Sequence, residues 1–496
     1  MGVIKRQGLK QGLISYIGAI VGIINITFIY PLCFSKEELG LVQYLINTSY
    51  FMLNIIFLGT NHLTVRFFGF FKTDDDKNNG FFRFVTLSSI AGVGTFLLLL
   101  LPFYNKIWHY FTVKFGIFSQ YIIWLLPTIL CVSFLYLYIQ FCLNFKRTAF
   151  PSLLEQLIKF VLPILAILYY NSYINLHVVS FGIFFTYLIT LVLIILFIRH
   201  IGQLNWNSKR ERPLLKSEIN EMRSYTFYGF LMSIAWALST RFDTIIVPTM
   251  INLSESSVYN IAWSIAGLIS ISADSLTQIA TAVIADKWRT TDLKEIDIIY
   301  KKSSILLMSI GCFFLVGIAV CIQDLFSLMP NGYKYVGGID VILILGVAKV
   351  IDMLTSVNNP IIQYSDKYKF NLYALGIYGL CNLVFSLLLI PHFGINGAAI
   401  SVLISVIVFN LIKLIFIYYH WKMLPFSFST IKILIISILA YSIAWFCPNF
   451  DNDIINIIWK GTIILIIFAF TMIFWKVSDE IDQLFIDIKM FIKKYL

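Results

Sequence analysis

The sequence predicts an all-α integral membrane protein of about fourteen spanning helices. They are expected as two parallel six-helix lobes with two further helices at the C-terminal end. Three observations carry this reading. Of 496 residues, 59% are hydrophobic and only 13% charged, where an ordinary soluble domain has roughly 25% charged residues. The apolar residues come in runs of about 20 or more, long enough to cross the hydrocarbon core as helices and too long for barrel strands. The Lys and Arg residues sit in short gaps between the runs, and they are shared unequally between alternate gaps. The longest polar gap is about 25 residues, too short for a soluble domain, so most soluble-enzyme classes are excluded.

Residues 12–34 form the first span. Basic residues precede it, as in a signal peptide. The run is too long for a signal h-region, however, and no small-residue cleavage site follows, so it reads as a retained helix. The second span, 40–66, carries His62 and Arg66 toward its end, where Arg66 can snorkel to the interface. Spans three to six cover 82–104, 119–142, 150–170 and 177–199. Glu155 and Lys159 lie i,i+4 on span five, a spacing that lets them meet on one face. A basic loop from His200 to Arg223 follows, containing Lys209-Arg210-Glu211-Arg212-Pro213.

Spans seven and eight, 225–251 and 257–285, form a hairpin around the polar turn Asn252-Leu253-Ser254-Glu255-Ser256. Span nine covers 298–322. Span ten, 336–362, carries Lys349 and Asp352 at i,i+3, again on one face. Spans eleven to fourteen cover 370–391, 396–420, 428–447 and 455–476. Pro127, Pro163, Pro248 and Pro360 lie inside spans or near their ends, which membrane helices tolerate when neighbours re-satisfy the freed backbone groups. From Val477 to Leu496 the pattern changes. Ile481, Leu484, Phe485, Ile488, Phe491 and Ile492 recur at helical spacing opposite Asp and Lys, which predicts an amphipathic helix lying on the membrane surface.

Placing the N-terminus in the cytoplasm puts 27 of the 37 Lys and Arg residues on the cytoplasmic side, 5 on the other and 5 within spans. That bias predicts both termini inside. The net charge of +11 thus belongs to the loops and gives no nucleic-acid signal. Sliding the chain by 217 residues lays span seven on span one and matches Gly12 with Gly229, Thr27 with Thr244, Pro31 with Pro248, Glu38 with Glu255 and Thr64 with Thr281. Six spans per copy is an even number, so the copies point the same way, as in carriers whose halves are related by an axis along the membrane normal. The expected layout is an N-terminal lobe (1–199), a cytoplasmic linker (200–224), a second lobe (225–420), two added helices (421–476) and the tail (477–496). Such repeats predict a transporter with its substrate near the midplane, and no ring-forming channel filter is present.

The span-seven hairpin holds the most telling residues. Arg241 and Asp243 lie near the middle of the first helix, and Asp274 with Gln278 lies in the second. Charges at that depth cost about 2.5–3.5 kcal/mol each on insertion scales, so they need a partner or a water-filled cavity. Arg241 and Asp243 are i,i+2 and face different ways, so a partner for Arg241 must come from another helix; Asp274 is the nearest by sequence. Lys413 on span twelve can snorkel like Arg66. Asn61, Gln140, Asn382 and Asn410 fit helix–helix hydrogen bonding. The seven Cys fall in or at the ends of spans without a close pair, and read as small buried hydrophobes. There is no Walker A, HExxH or GxSxG motif, and the six His are scattered, so neither ATP hydrolysis nor a metal site is predicted.

One stretch carries a family likeness. Pro391-His392-Phe393-Gly394-Ile395-Asn396-Gly397-Ala398-Ala399-Ile400-Ser401 follows Leu387-Leu388-Leu389-Ile390, with Asn382 nine residues before Pro391. This resembles a signature of the Wzx-type oligosaccharide flippases, in the multidrug/oligosaccharidyl-lipid/polysaccharide (MOP) exporter superfamily. The opening Gly8-Leu9-Lys10-Gln11-Gly12 and the Glu38-Leu39-Gly40 turn look like the first hairpin of the same family. In physical terms, Pro391 and Gly394 break the chain between spans eleven and twelve, and Gly397-Ala398-Ala399 permits close packing.

The resemblance implies a MATE-like two-lobe fold in the bacterial inner membrane. It implies export of a glycan on undecaprenyl diphosphate by alternating access, with cationic side chains meeting the diphosphate. Arg241, Lys159, Lys349 and Arg66 are the cationic candidates, suited to charge-assisted bonds to phosphate. Asp274, Asp243, Asp352 and Glu155 are candidates for a coupling Na⁺ or H⁺; no other cofactor is expected. The expected ligands are membrane lipid and the lipid-linked oligosaccharide. The polysaccharide polymerase machinery is a candidate partner, nucleic acid is not, and a monomer is expected. The alternatives are a cation-coupled multidrug extruder, a peptidoglycan lipid-precursor flippase and, from another class, a membrane glycosyltransferase or polymerase. The drug extruder calls for an acidic, aromatic cavity, the precursor flippase for more cavity arginines, and the last for a large outer loop or a catalytic domain.

Overall fold

The computed structural model describes residues 2–53, 55–73, 78–204, 206, 215–355 and 357–477, without the side chains of 2–9, 272, 274 and 275. Among the described residues there are helices and no strands. The basic stretch 209–213 and the tail helix, from residue 478 on, lie outside them. Large apolar side chains are left bare on the surface: Leu98, Ile117 and Phe470 are 66%, 79% and 67% exposed. Apolar surface on that scale belongs against lipid, and the chain is an all-helical membrane protein.

The chain forms two compact units, Met1–Ser257 and Val258–Leu496. In the first, α1 (Gly2–Ile24) runs through a π-helical turn, Asn25–Ile29, into α2 (Tyr30–Cys33). Then come α3 (Lys36–Met52), α4 (Leu63–Arg66), α5 (Phe81–Leu100), α6 (Tyr104–Phe115), α7 (Leu125–Leu143), α8 (Ala149–Tyr170), α9 (Leu176–His200), α10 (Lys216–Thr240) and α11 (Phe242–Met250). The chain passes into the second unit within α12 (Leu253–Gly267). It continues through α13 (Ile271–Arg289), α14 (Leu293–Leu328), α15 (Ile339–Leu354), α16 (Asn358–Gln363), α17 (Phe370–Trp421), α18 (Phe428–Trp445) and α19 (Asp453–Phe474). Helix falls on each of the fourteen expected spans. By its contacts, span seven packs with the first unit, where α11 lies along α3 and α10 along the turn before α4.

What the hydropathy pattern does not contain is where the spans break. Span two opens after Met52, and Leu58 and Gly59 turn into the left-handed region (φ 51° and 85°). A Cβ on Gly59 would lie 2.2 Å from the Thr226 carbonyl oxygen, so only glycine lets the opened chain press against α10. Span seven bends by 63° between α10 and α11. Span eight is interrupted by a 3-10 turn, Leu268–Ser270, and span ten stops at Leu354 and resumes at Asn358. Spans eleven and twelve are joined within α17 by Gly394 at φ 56°, ψ −135°. A Cβ on Gly397 would sit 2.3 Å from the Leu389 carbonyl oxygen, and Ala398 and Ala399 are fully buried. The break and the close packing expected from this stretch are therefore both present.

Two further features escaped the hydropathy pattern. The loop between spans three and four contains α6, too short and too polar to register as a span. It reaches α11, where Tyr110 Oη donates to the Thr249 carbonyl at 2.8 Å and Lys114 Nζ to the Met250 carbonyl at 3.0 Å. These bonds satisfy carbonyls at a helix end that has no intrahelical donors left. In the second unit, α18 and α19 pack on α14 through Ile433, Ile436, Ile464 and Phe468. Lys460, one of the five Lys and Arg residues that the charge count assigns to the non-cytoplasmic side, is instead buried in α19 and pairs with Asp324 of α14 at 2.8 Å. Asn456 donates to the other carboxylate oxygen of Asp324 at 3.2 Å.

Candidate functional site

The first unit gathers polar groups from five helices around Arg241. This residue is the hinge of span seven (φ −136°, ψ −4°), the one residue between α10 and α11. The break frees its side chain from both helical rows, and its guanidinium carbon stands 5.4 Å from the ring centroid of Tyr50 on α3. Tyr50 meets Tyr136 of α7 and Tyr187 of α9 edge-on, at 5.8 and 6.5 Å. Tyr187 Oη donates to Tyr50 Oη at 3.4 Å, and Tyr136 Oη donates to Glu155 Oε1 on α8. The phenols of Tyr50 and Tyr136 both lie within electrostatic range of Glu155 and Arg241.

Lys159, one turn from Glu155 on α8, also lies within range of that carboxylate. No ion pair joins the two among the described residues; the carboxylate is held by Tyr136 instead. The Lys159 side chain lies across Gly22 of α1, and its carbonyl accepts from Asn25 Nδ2 at 2.6 Å. Arg241, Glu155 and Lys159 therefore share one aromatic-walled cluster. Asp243 is 2% exposed, in the first turn of α11, where the helix dipole favours an anion. Arg66 belongs elsewhere. It is exposed, 6.0 Å from the ring of Tyr225, and Tyr225 precedes Arg241 by 16 residues of helix, about 24 Å at 1.5 Å per residue.

The second unit holds a separate group. Asp352 does not pair with Lys349, although their spacing allows it. It accepts from Asn410 Nδ2 of α17 at 3.3 Å and lies within electrostatic range of Lys413. Lys349 instead holds its ammonium 5.6 Å from the ring of Trp263 on α12. Lys413, expected to snorkel, is 1% exposed. Its Nζ donates to Asn359 Oδ1 at 2.5 Å and stands 3.6 Å over the ring of Phe409. The side chain of Asp274 lies outside the described residues, so its place beside Arg241 is not described.

The tyrosines that organise the first cluster are not legible in the sequence, because tyrosine is grouped there with the hydrophobic residues and carries no charge to mark it. The Asn410–Lys413 face was also passed over; an i,i+3 spacing on one apolar helix was the available signal.

No family model matches the sequence, and no curated protein matches it. Solved structures do. The chain is similar to lipid II flippase MurJ in an inward closed conformation: TM-score 0.75 at 13% identity, over 94% of this chain and 98% of that one. It is similar to an inward-facing multidrug resistance MATE family transporter of the MOP superfamily: TM-score 0.61 at 12% identity, over 83% of this chain and 94% of that one. A MOP superfamily transporter from Pyrococcus furiosus, described as having a binding pocket of reverse polarity, aligns over 85% of this chain and 95% of its own with TM-score 0.55 at 12% identity. The chain thus shares its fold with these solved transport proteins.

Proposed function

We propose that this chain is an alternating-access flippase of the bacterial inner membrane, with both termini in the cytoplasm. It moves oligosaccharide units carried on undecaprenyl diphosphate to the outer leaflet for surface polysaccharide biosynthesis. The observation that carries this reading is the cluster around Arg241. It combines a guanidinium at a helix break with the ammonium of Lys159 and the carboxylate of Glu155, walled by three tyrosines. A guanidinium and an ammonium suit a diphosphate, and a forked guanidinium matches phosphate oxygens. Glu155, held by Tyr136 and within electrostatic range of Lys159, is the group best placed to exchange a coupling proton or Na⁺. Lys349 is a further cationic contact in the second unit, with Asp352 a coupling candidate. The protein works as a monomer and hands its cargo to the polymerase machinery.

The extent of the two likenesses supports a lipid-carrying role over drug extrusion. The MurJ likeness takes in 94% of the chain and the MATE likeness 83%. That same likeness favours one second reading, a flippase for the peptidoglycan lipid precursor. Deleting the gene separates the three. Loss of surface glycan from viable cells, with lipid-linked units accumulating inside, is the expected result. Lysis from failed cell-wall synthesis would transfer the assignment to the precursor flippase. Intact glycan with raised sensitivity to cationic compounds would transfer it to a drug extruder.

A further inference from the structure

A polar cavity that Arg241 does not line lies in the first unit. It has a volume of about 730 Å³ and is lined by Cys33, Glu38, the tyrosines of the α8 end and the 172–175 turn. Its walls are built in advance. The Glu38 side chain closes the N-terminus of α3 by accepting from Ser35 N at 2.8 Å, while its other oxygen accepts from Tyr169 Oη at 2.6 Å. Tyr169 is stacked on Phe34, with ring centroids 5.6 Å apart and planes 26° apart. Asn171 Nδ2 holds the turn to the Ile167 carbonyl at 2.8 Å, and Asn175 Oδ1 caps α9 through Val178 N at 3.0 Å. That leaves the rings of Tyr170 and Tyr173, 56% and 77% exposed, at the mouth. Their hydroxyls and that of Ser172 make no hydrogen bond among the described residues.

An interfacial belt of tyrosines would also place aromatic rings at this depth. A belt does not turn a tyrosine hydroxyl onto a carboxylate, nor group four more polar side chains in one cavity. Flat rings beside convergent hydroxyl, amide and carboxylate groups are the chemistry that holds a sugar. Rings cover its C–H face, and acceptors and donors take its hydroxyls. A pocket of a few hundred to 1,000 Å³ with a few placed polar groups is the usual form of a small-molecule site. None of the lining residues is basic and one is a carboxylate, so the pocket favours neutral or amino sugars and disfavours uronic acids. On the topology drawn from the basic loops, this mouth opens on the side away from the cytoplasm.

We infer that the Glu38–Tyr169–Tyr173 cavity is a saccharide subsite that receives the glycan head on the exit side. This rests on the transport reading above for its cargo, but its binding is tested without transport. Full-length protein in nanodiscs is titrated with chitobiose, glucosamine and glucuronate, and saturation-transfer NMR reads the contact. Chitobiose and glucosamine should show saturable transfer and glucuronate several-fold less. Tyr170→Ala and Tyr173→Ala should each cut the signal at least threefold, and Tyr173→Phe should keep most of it. Because both rings are exposed at a turn, loss of signal in well-folded variants reports the site. Equal transfer to all three sugars, or undiminished transfer to the double alanine variant, overturns the subsite. If those results come while gene deletion still abolishes surface glycan, the subsite falls and the flippase stands. If the sugars bind as expected but deletion spares the glycan, the flippase reading falls and the subsite stands.

Discussion

Arg241 holds its guanidinium 5.4 Å above the ring of Tyr50, so the one residue at the hinge of span seven is fastened to α3. A cation over a ring contributes about 0.5–2 kcal/mol, the upper end when desolvated. Tyr50→Phe keeps the ring and should leave melting temperature and glycan display near wild type. Tyr50→Ala should lower both. Equal losses in the two variants would show that the hydroxyl, not the ring, is what matters.

Glu155 accepts from Tyr136 and lies within electrostatic range of Lys159. Glu155→Gln keeps shape and hydrogen bonding but removes the exchangeable charge. Transport into vesicles under an imposed proton or Na⁺ gradient should lose its gradient dependence while the protein stays abundant. Undiminished gradient dependence in this variant would rule Glu155 out as the coupling group.

Lys460 and Asp324 are a buried ion pair that welds α19 to α14. Asp324→Ala strands a buried ammonium, and stranding one member of such a pair costs about 3–5 kcal/mol. A clear fall in melting temperature is expected, and the double variant Asp324→Leu/Lys460→Met should recover most of it. Failure of the double variant to recover stability would mean that the pair supplies more than mutual neutralisation.

Gly394 and Gly397 make the turn between the two halves of α17. Gly394→Ala forces a side chain into a backbone region that is nearly closed to it, at about 1–3 kcal/mol. Gly397→Leu places a side chain against the Leu389 carbonyl and pries the halves apart. Thermal melts of both should be lowered, Gly397→Leu more than Gly394→Ala. The reverse order would mean that the φ 56° conformation, not the close approach, is the tighter constraint.

Most of the fold was legible because lipid imposes one rule, that every backbone group crossing it must bond within its own segment. Runs such as Leu176–His200 then have a single solution. The Pro391–Gly394 break was legible for a related reason: proline and glycine mark where the rule is suspended. The breaks at Gly59 and Arg241 were not. They are set by what presses against them, Thr226 in one case and Tyr50 in the other, and a partner distant in sequence leaves no local trace. The same limit applies to charge pairs. Spacing offered Lys349 to Asp352 and Lys159 to Glu155, but tertiary neighbours took both carboxylates, Asn410 in one unit and Tyr136 in the other. Burial of Lys413 was hidden because a lysine toward a span end reads as a snorkelling one until Phe409 and Asn359 are seen to enclose it.

The most direct test of the account is surface-glycan display in cells carrying Arg241→Ala, Arg241→Gln or Arg241→Lys, each normalised to membrane abundance. The account predicts that all three are made at near wild-type levels, that display falls at least tenfold in Ala and Gln, and that Lys restores part of it. Full display in all three variants would contradict it, and would leave Arg241 as a structural hinge with no part in carrying the substrate.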